Sequence, residues 1–129
     1  MDIVIDFDGT CVGHSYPAVG REIGATPVLR ELVDAGHHLI LYTMRADDPR
    51  RREFTLRDAL EWFVQRYIPL YGVQSHPEQH KWTSSPKAYG DIYIDDRALG
   101  CPLIFPDDQK TPCVDWTRVR EMLCAMGAL

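Results

Sequence analysis

The sequence predicts an α/β domain built on a parallel sheet, and three features predict it. Short apolar runs ("DIVI", "HLILY", "DIYI") alternate with longer stretches of helical periodicity. "HLILY" is almost continuously apolar, the pattern of a strand covered on both faces. With 129 residues, 45% of them hydrophobic and 26% charged, the chain can bury one core. No linker, internal repeat or low-complexity tract divides it, so residues 1–129 are expected to form a single domain.

The elements follow in order. "DIVID" reads as the first strand. The glycine-rich "GTCVGHSYPAVGREIG" carries Pro17 and predicts a loop or small hairpin. "TPVLRELVDAG" predicts a helix, with Thr26 as its cap, Pro27 in the first turn and Gly36 at the exit. Val28, Leu29, Leu32 and Val33 share one face of it. "HHLILYT" is the second strand. "DDPRRREFTLRDALEWFVQRYI" reads as one long helix whose apolar face is Phe54, Leu56, Leu60, Phe63 and Val64. "YGV" and "GDIYID" are further strands, residues 97–115 an irregular stretch, and "WTRVREMLCAM" a terminal helix. Helices are expected on both faces of the sheet.

Bulk properties narrow the partners. Nineteen acidic against fourteen basic residues give a formal charge of −5, which disfavours a broad nucleic-acid face but leaves room for a local basic groove. "MDIVID" has neither a basic patch nor a long apolar stretch, and no run is long enough to cross a bilayer. A cytoplasmic protein without a membrane partner is expected. Cys11, Cys101, Cys113 and Cys124 are widely spaced and predict reduced, mostly buried thiols. Trp62, Trp82 and Trp116 are expected to pack rather than stack on bases.

In parallel sheets, functional groups gather beyond the carboxyl ends of the strands. Here the first strand ends in Asp6 with Asp8 just beyond, the second ends in Thr43, and "DIYI" runs into Asp95 and Asp96. Lys87 shortly precedes that last strand. Acids that repeatedly follow apolar runs are not a solvated surface. Asp91 is set aside because it precedes its strand, and His37 and His38 lie opposite this edge and read as structural.

The pattern resembles the haloacid dehalogenase-like superfamily, mostly phosphatases and other phosphoryl-transfer enzymes. "DFDGT" matches its nucleophile motif at Asp6, Asp8 and Thr10, and "LYT" its second motif at Thr43. Lys87 in "SSPKAYGD" suits the lysine motif, with Lys81 as its rival, and "YIDD" the acidic motif at Asp95 and Asp96. The resemblance implies a Rossmann-like parallel sheet flanked by helices and a Mg²⁺-dependent phosphatase acting through an aspartyl-phosphate. It makes Asp6 the nucleophile and Asp8 the acid and base. Thr43 would donate a hydrogen bond to the phosphoryl group, and Lys87 would offset charge on Asp6 and the phosphate. Asp6, Asp8 through its carbonyl, and Asp95 would hold the metal, with Asp96 holding waters or Lys87. Gly9, Thr10 and Arg45 are candidate substrate contacts; His14 and Tyr16 flank the motifs.

Neither the stretch after the first motif nor that between Thr43 and Lys87 leaves room for a cap domain. A capless site is open, and a phosphorylated substrate, small or macromolecular, or a second subunit of a homo-oligomer would cover it. Two alternatives stand beside the phosphatase. One is a nucleotide or polynucleotide-end phosphatase using Arg45 and Arg50 to Arg52. The other is a non-catalytic phosphate-binding or scaffold protein.

Overall fold

The computed structural model describes residues 1–107 and 111–129. The first half runs β1 (Asp2–Ile5), α1 (Ala25–Asp34), β2 (His38–Leu41), β3 (Asp47–Asp48), β4 (Glu53–Phe54) and α2 (Thr55–Gln65). The second runs β5 (Gly72–Val73), β6 (Ile92–Ile94), β7 (Leu103–Ile104), β8 (Cys113–Val114) and α3 (Trp116–Ala125). Four strands form a parallel sheet in the order β5-β2-β1-β6, with helices flanking it.

That order explains where the helices lie. The chain leaves β1 for β2 and then β5, moving in one direction, and then jumps back across β1 to β6. Right-handed crossovers put the first two connections on one face and the third on the other. Accordingly Ile3, Ile5, Leu39 and Leu41 share a core with Leu29 of α1, Phe63 of α2 and Leu123 of α3. The opposite face, Val4 and Ile40, packs with Ala88 and Tyr42. The expectation of α-helices on both faces is therefore corrected. All three share one face, and residues 74–91, with one 3₁₀ turn at Gln79–Lys81, cover the other. Pro77 and Pro86 interrupt that segment and deny it a long helix.

Local chemistry moves several boundaries. Gly24, at φ 99°, takes the cap position of α1 in place of Thr26. Glu22 supplies the capping: its carboxylate accepts from the Gly24 and Thr26 N–H groups and the Thr26 hydroxyl. Gly36 follows the helix at φ 91°, as its position predicts. α2 starts at Thr55, not at residue 47, because β3 and β4 pair as a small hairpin around the 3₁₀ turn Pro49–Arg51. Its buried residues are Thr55, Ala59, Trp62 and Phe63, whereas Phe54 and Val64 are exposed.

Within the expected irregular stretch 97–115, β7 and β8 pair antiparallel, and residues 108–110 lie outside the described residues. Trp62 and Trp116 are buried, but Trp82 is exposed. Cys11 and Cys113 are buried, Cys101 is half-buried and Cys124 exposed, and none forms a disulfide among the described residues. Among the described residues no helix is long and apolar enough to cross a membrane.

Candidate active site

The jump from β5 back to β6 makes a switch point between β1 and β6, where crevices form at the carboxyl ends of parallel strands. Ile5 pairs with Ile94, and the Asp6 N–H donates to the Ile94 carbonyl at 3.1 Å, carrying the ladder one step past the strands. Asp6, Asp95 and Asp96 thus emerge side by side. Each offers a carboxylate oxygen, all within 4.8 Å of one another.

The loop after Asp6 is folded tightly around this cluster. The Phe7 carbonyl accepts from the Thr10 and Cys11 N–H groups, and the Gly9 N–H, at φ 79°, donates to the Val12 carbonyl. Gly9 was a candidate substrate contact, but its N–H is engaged inside the loop. Thr10 is likewise corrected: it is fully buried, and its hydroxyl lies 3.2 Å from Asp6 Oδ2 and 3.3 Å from Asp96 Oδ1 while accepting from the Asp96 N–H. It brackets the two acids and presents no exposed surface. From behind, Trp116 Nε1 donates to the Thr10 carbonyl at 2.7 Å and the Val114 N–H to the Gly9 carbonyl. No local pattern marks Trp116 for this, because the contact spans most of the chain.

Arg45 is the largest departure from expectation. Read as a substrate contact, it is 1% exposed. Nε and Nη2 donate to the two oxygens of Asp8, Nη2 also to Ala18 O, and Nη1 to Pro17 O and Thr55 O. All five N–H donors are spent. The guanidinium also lies over the rings of Phe7 and Tyr16, so the exposed Tyr16 covers Arg45. In consequence the Asp8 side chain is turned to Arg45 and stands outside the three-carboxylate cluster. Thr43 sits two residues beyond β2. Its hydroxyl accepts from the Arg45 N–H, leaving its own hydrogen to donate. Gln74, at φ 64°, clamps this turn by accepting from Thr43 N–H and donating to the carbonyls of Thr43 and Arg45.

Neither candidate lysine bonds to the acids. Lys87 is exposed, with Nζ over the Tyr93 ring at 5.7 Å, and Lys81 pairs with Glu78 on the surface. Asp96 is met instead by His14, whose Nε2 lies 3.0 Å from Oδ2, and by the exposed Arg97 at 3.5 Å. The expected Asp96–Lys87 pair is absent among the described residues. His37, His38 and His76 bond at the far end of the sheet, His37 to Ala128 and the other two to Asp2. Asp91 accepts from the Asp2 N–H at the same end, away from the cluster.

No family model matches the chain, and no curated protein does. A solved structure of a conserved protein coded by a locus of Bacteroides thetaiotaomicron matches at 34% identity with a TM-score of 0.76. The match covers 98% of this chain and 91% of that one. This chain belongs to the family of that conserved protein.

In this family member the cluster is electrostatically tense. Burial pushes the Asp6 carboxyl up to about 8, and the neighbouring Asp95 and Asp96 push it the same way. Three clustered carboxylates, one of them reluctant to ionise, form an all-oxygen donor set suited to a hard divalent cation. Asp6, Asp95 and Asp96 would hold it; the Asp8 carboxylate would not.

Proposed function

We propose that this chain is a capless, Rossmann-like member of the haloacid dehalogenase-like superfamily and a Mg²⁺-dependent phosphatase of phosphate monoesters. One observation carries the proposal: the convergence of Asp6, Asp95 and Asp96 within 4.8 Å at the switch point of a parallel sheet. A bound Mg²⁺ would supply positive charge to the phosphoryl oxygens and to the carboxylates.

Asp6 then serves as nucleophile. One of its oxygens forms a bond to phosphorus as the ester P–O bond breaks, and the leaving oxygen keeps the electron pair and receives a proton from Asp8. In the second half, Asp8 takes a proton from water, whose oxygen attacks phosphorus and releases Asp6 and inorganic phosphate. A carboxylate has about four lone-pair sites, so the two directed at Arg45 leave others to Asp8. Thr43 would donate to the phosphoryl group, and the exposed Lys87 would turn to it. The hairpin β3–β4 and the close-folded loop after Asp6 support the absence of a cap.

A panel of phosphate esters, including p-nitrophenyl phosphate, assayed with Mg²⁺ and then with EDTA, tests this. Hydrolysis that stops on chelation is expected. Rates untouched by EDTA would remove the mechanism.

The non-catalytic alternative has its own support in the closed Arg45–Asp8 fork and in the absence, among the described residues, of a lysine on the cluster. It is distinguished by metal binding without turnover on any ester. Burial of Arg45 removes one support of the polynucleotide-end alternative and leaves it the exposed Arg50, Arg51 and Arg52.

A further inference from the structure

The geometry assigns His14 a role: it is the positioning residue of the acidic cluster, holding Asp96 in the orientation in which the three carboxylates converge. This deepens the metal-dependent reading above and rests on it.

The Asp96 side chain is only 3% exposed, so its rotamer is set by what it touches. The Thr10 hydroxyl hydrogen is divided between Asp6 and Asp96, at 3.2 and 3.3 Å. Arg97 is 3.5 Å away on a side chain that is 76% exposed, and such a contact holds little. His14 makes the shortest side-chain contact, Nε2 to Oδ2 at 3.0 Å. Its hydrogen is aimed at one carboxylate oxygen while Thr10 addresses the other, and together they fix the plane of the carboxylate.

A second observation is independent of that bond. A Cβ on Gly9 would come 2.2 Å from His14 Nε2 and 2.4 Å from Asp96 Oδ2. The imidazole and the carboxylate meet directly over Gly9, a position where any side chain would collide with both. An ordinary solvated loop histidine has no need of such a seat. Here the loop turns back after Val12, with the Gly13 N–H donating to the Arg21 carbonyl, and delivers His14 onto the cluster. Outer partners that orient a metal-binding carboxylate typically change metal affinity by about 10–100-fold when removed.

The test is Mn²⁺ binding to the full chain, read from the free-ion EPR signal and by competition with Mg²⁺, with no turnover required. His14→Ala and His14→Leu are expected to weaken Mn²⁺ about 10–100-fold. His14→Gln, whose amide N–H reaches where Nε2 stands, should recover most of the loss. Thermal melts identify folded variants, and the leucine variant keeps bulk if the alanine one does not fold. Unchanged affinity in His14→Ala or His14→Leu, with the wild type binding, overturns the role of His14 alone. Failure of His14→Gln to recover binding does the same, since the N–H would then not matter. A wild type that binds neither ion overturns the metal-dependent reading, and this inference with it.

Discussion

Arg45 grips Asp8 by both carboxylate oxygens, each 2.8 Å from a guanidinium nitrogen. The same guanidinium holds the carbonyls of Pro17, Ala18 and Thr55, so one side chain ties the first strand end to the following loop and to the start of α2. Truncating one member of a buried pair leaves the other charge uncompensated, at about 3–5 kcal/mol. Arg45→Met should lose stability on that scale in urea unfolding. Arg45→Lys should recover little, because an ammonium cannot span a fork and three carbonyls. A lysine variant as stable as the wild type would show that the fork contributes nothing.

Asp6 makes stability depend on pH with a definite sign. Its carboxyl is raised from an ordinary 3.8 to about 8, chiefly by burial. Between these values the unfolded chain has released this proton and the folded chain keeps it. The contribution is therefore complete below the lower value, falls as pH rises, and levels off above the upper one. The slope from this group is at most ~1.4 kcal/mol per pH unit. Metal-free protein should show this decline relative to Asp6→Asn. Parallel pH profiles for the two would show that Asp6 ionises normally.

Metal binding follows from the same carboxyl. Below pH 8 a cation must displace its proton, so apparent Mg²⁺ affinity should climb by up to about tenfold per pH unit and then flatten. Calorimetry in buffers of different ionisation enthalpy would count the proton released. No buffer dependence at pH 6.5 would separate the metal from Asp6.

The two carboxylates of "DFDGT" should behave differently when amidated. On the proposed mechanism Asp6→Asn removes the nucleophile. On the same mechanism Asp8→Asn removes the acid and base and should slow both half-reactions by roughly 10²–10⁴-fold. Acetyl phosphate needs little protonation of its leaving group, so it should still phosphorylate Asp6 in Asp8→Asn. Intact-mass measurement after rapid quench should show a phosphate adduct there and none in Asp6→Asn. An adduct in Asp6→Asn would place the nucleophile elsewhere.

Lys87 and Lys81 separate cleanly. Among the described residues Lys87 is exposed without an ion pair, and Lys81 has Glu78. Lys87→Ala should cut turnover by an order of magnitude or more through lost phosphoryl neutralisation, with an unchanged melting temperature. Lys81→Ala should leave turnover intact. The reverse outcome would move the lysine motif to Lys81.

Much of the frame was legible in the sequence because it rests on local patterns. Apolar runs at "DIVI", "HLIL" and "IYI" form β1, β2 and β6, and the acids after β1 and β6 stand at one sheet edge. Periodicity located α1, which buries a stripe repeated every turn, and "WTRVREMLCAM" forms the terminal helix α3 as expected. The start of α2 was not legible. "DDPRRREF" has helical composition, but Thr55 trades hydrogen bonds with the Ala46 backbone and Asp47 accepts from the Arg57 N–H, which closes a hairpin there instead.

By itself, then, the sequence determined the strands of the parallel sheet, the α1 and α3 helices and the acids at the sheet's carboxyl edge, all marked by residues near one another along the chain. Only the tertiary structure decided what each polar side chain meets. Arg45 is buried because acceptors from three separate segments surround it, and a charge leaves water only where such partners are already assembled. Thr10 became a bracket and His14 a neighbour of Asp96 for the same reason: their partner lies more than eighty positions away. Right-handed crossovers bring that partner alongside, and no local pattern records the meeting.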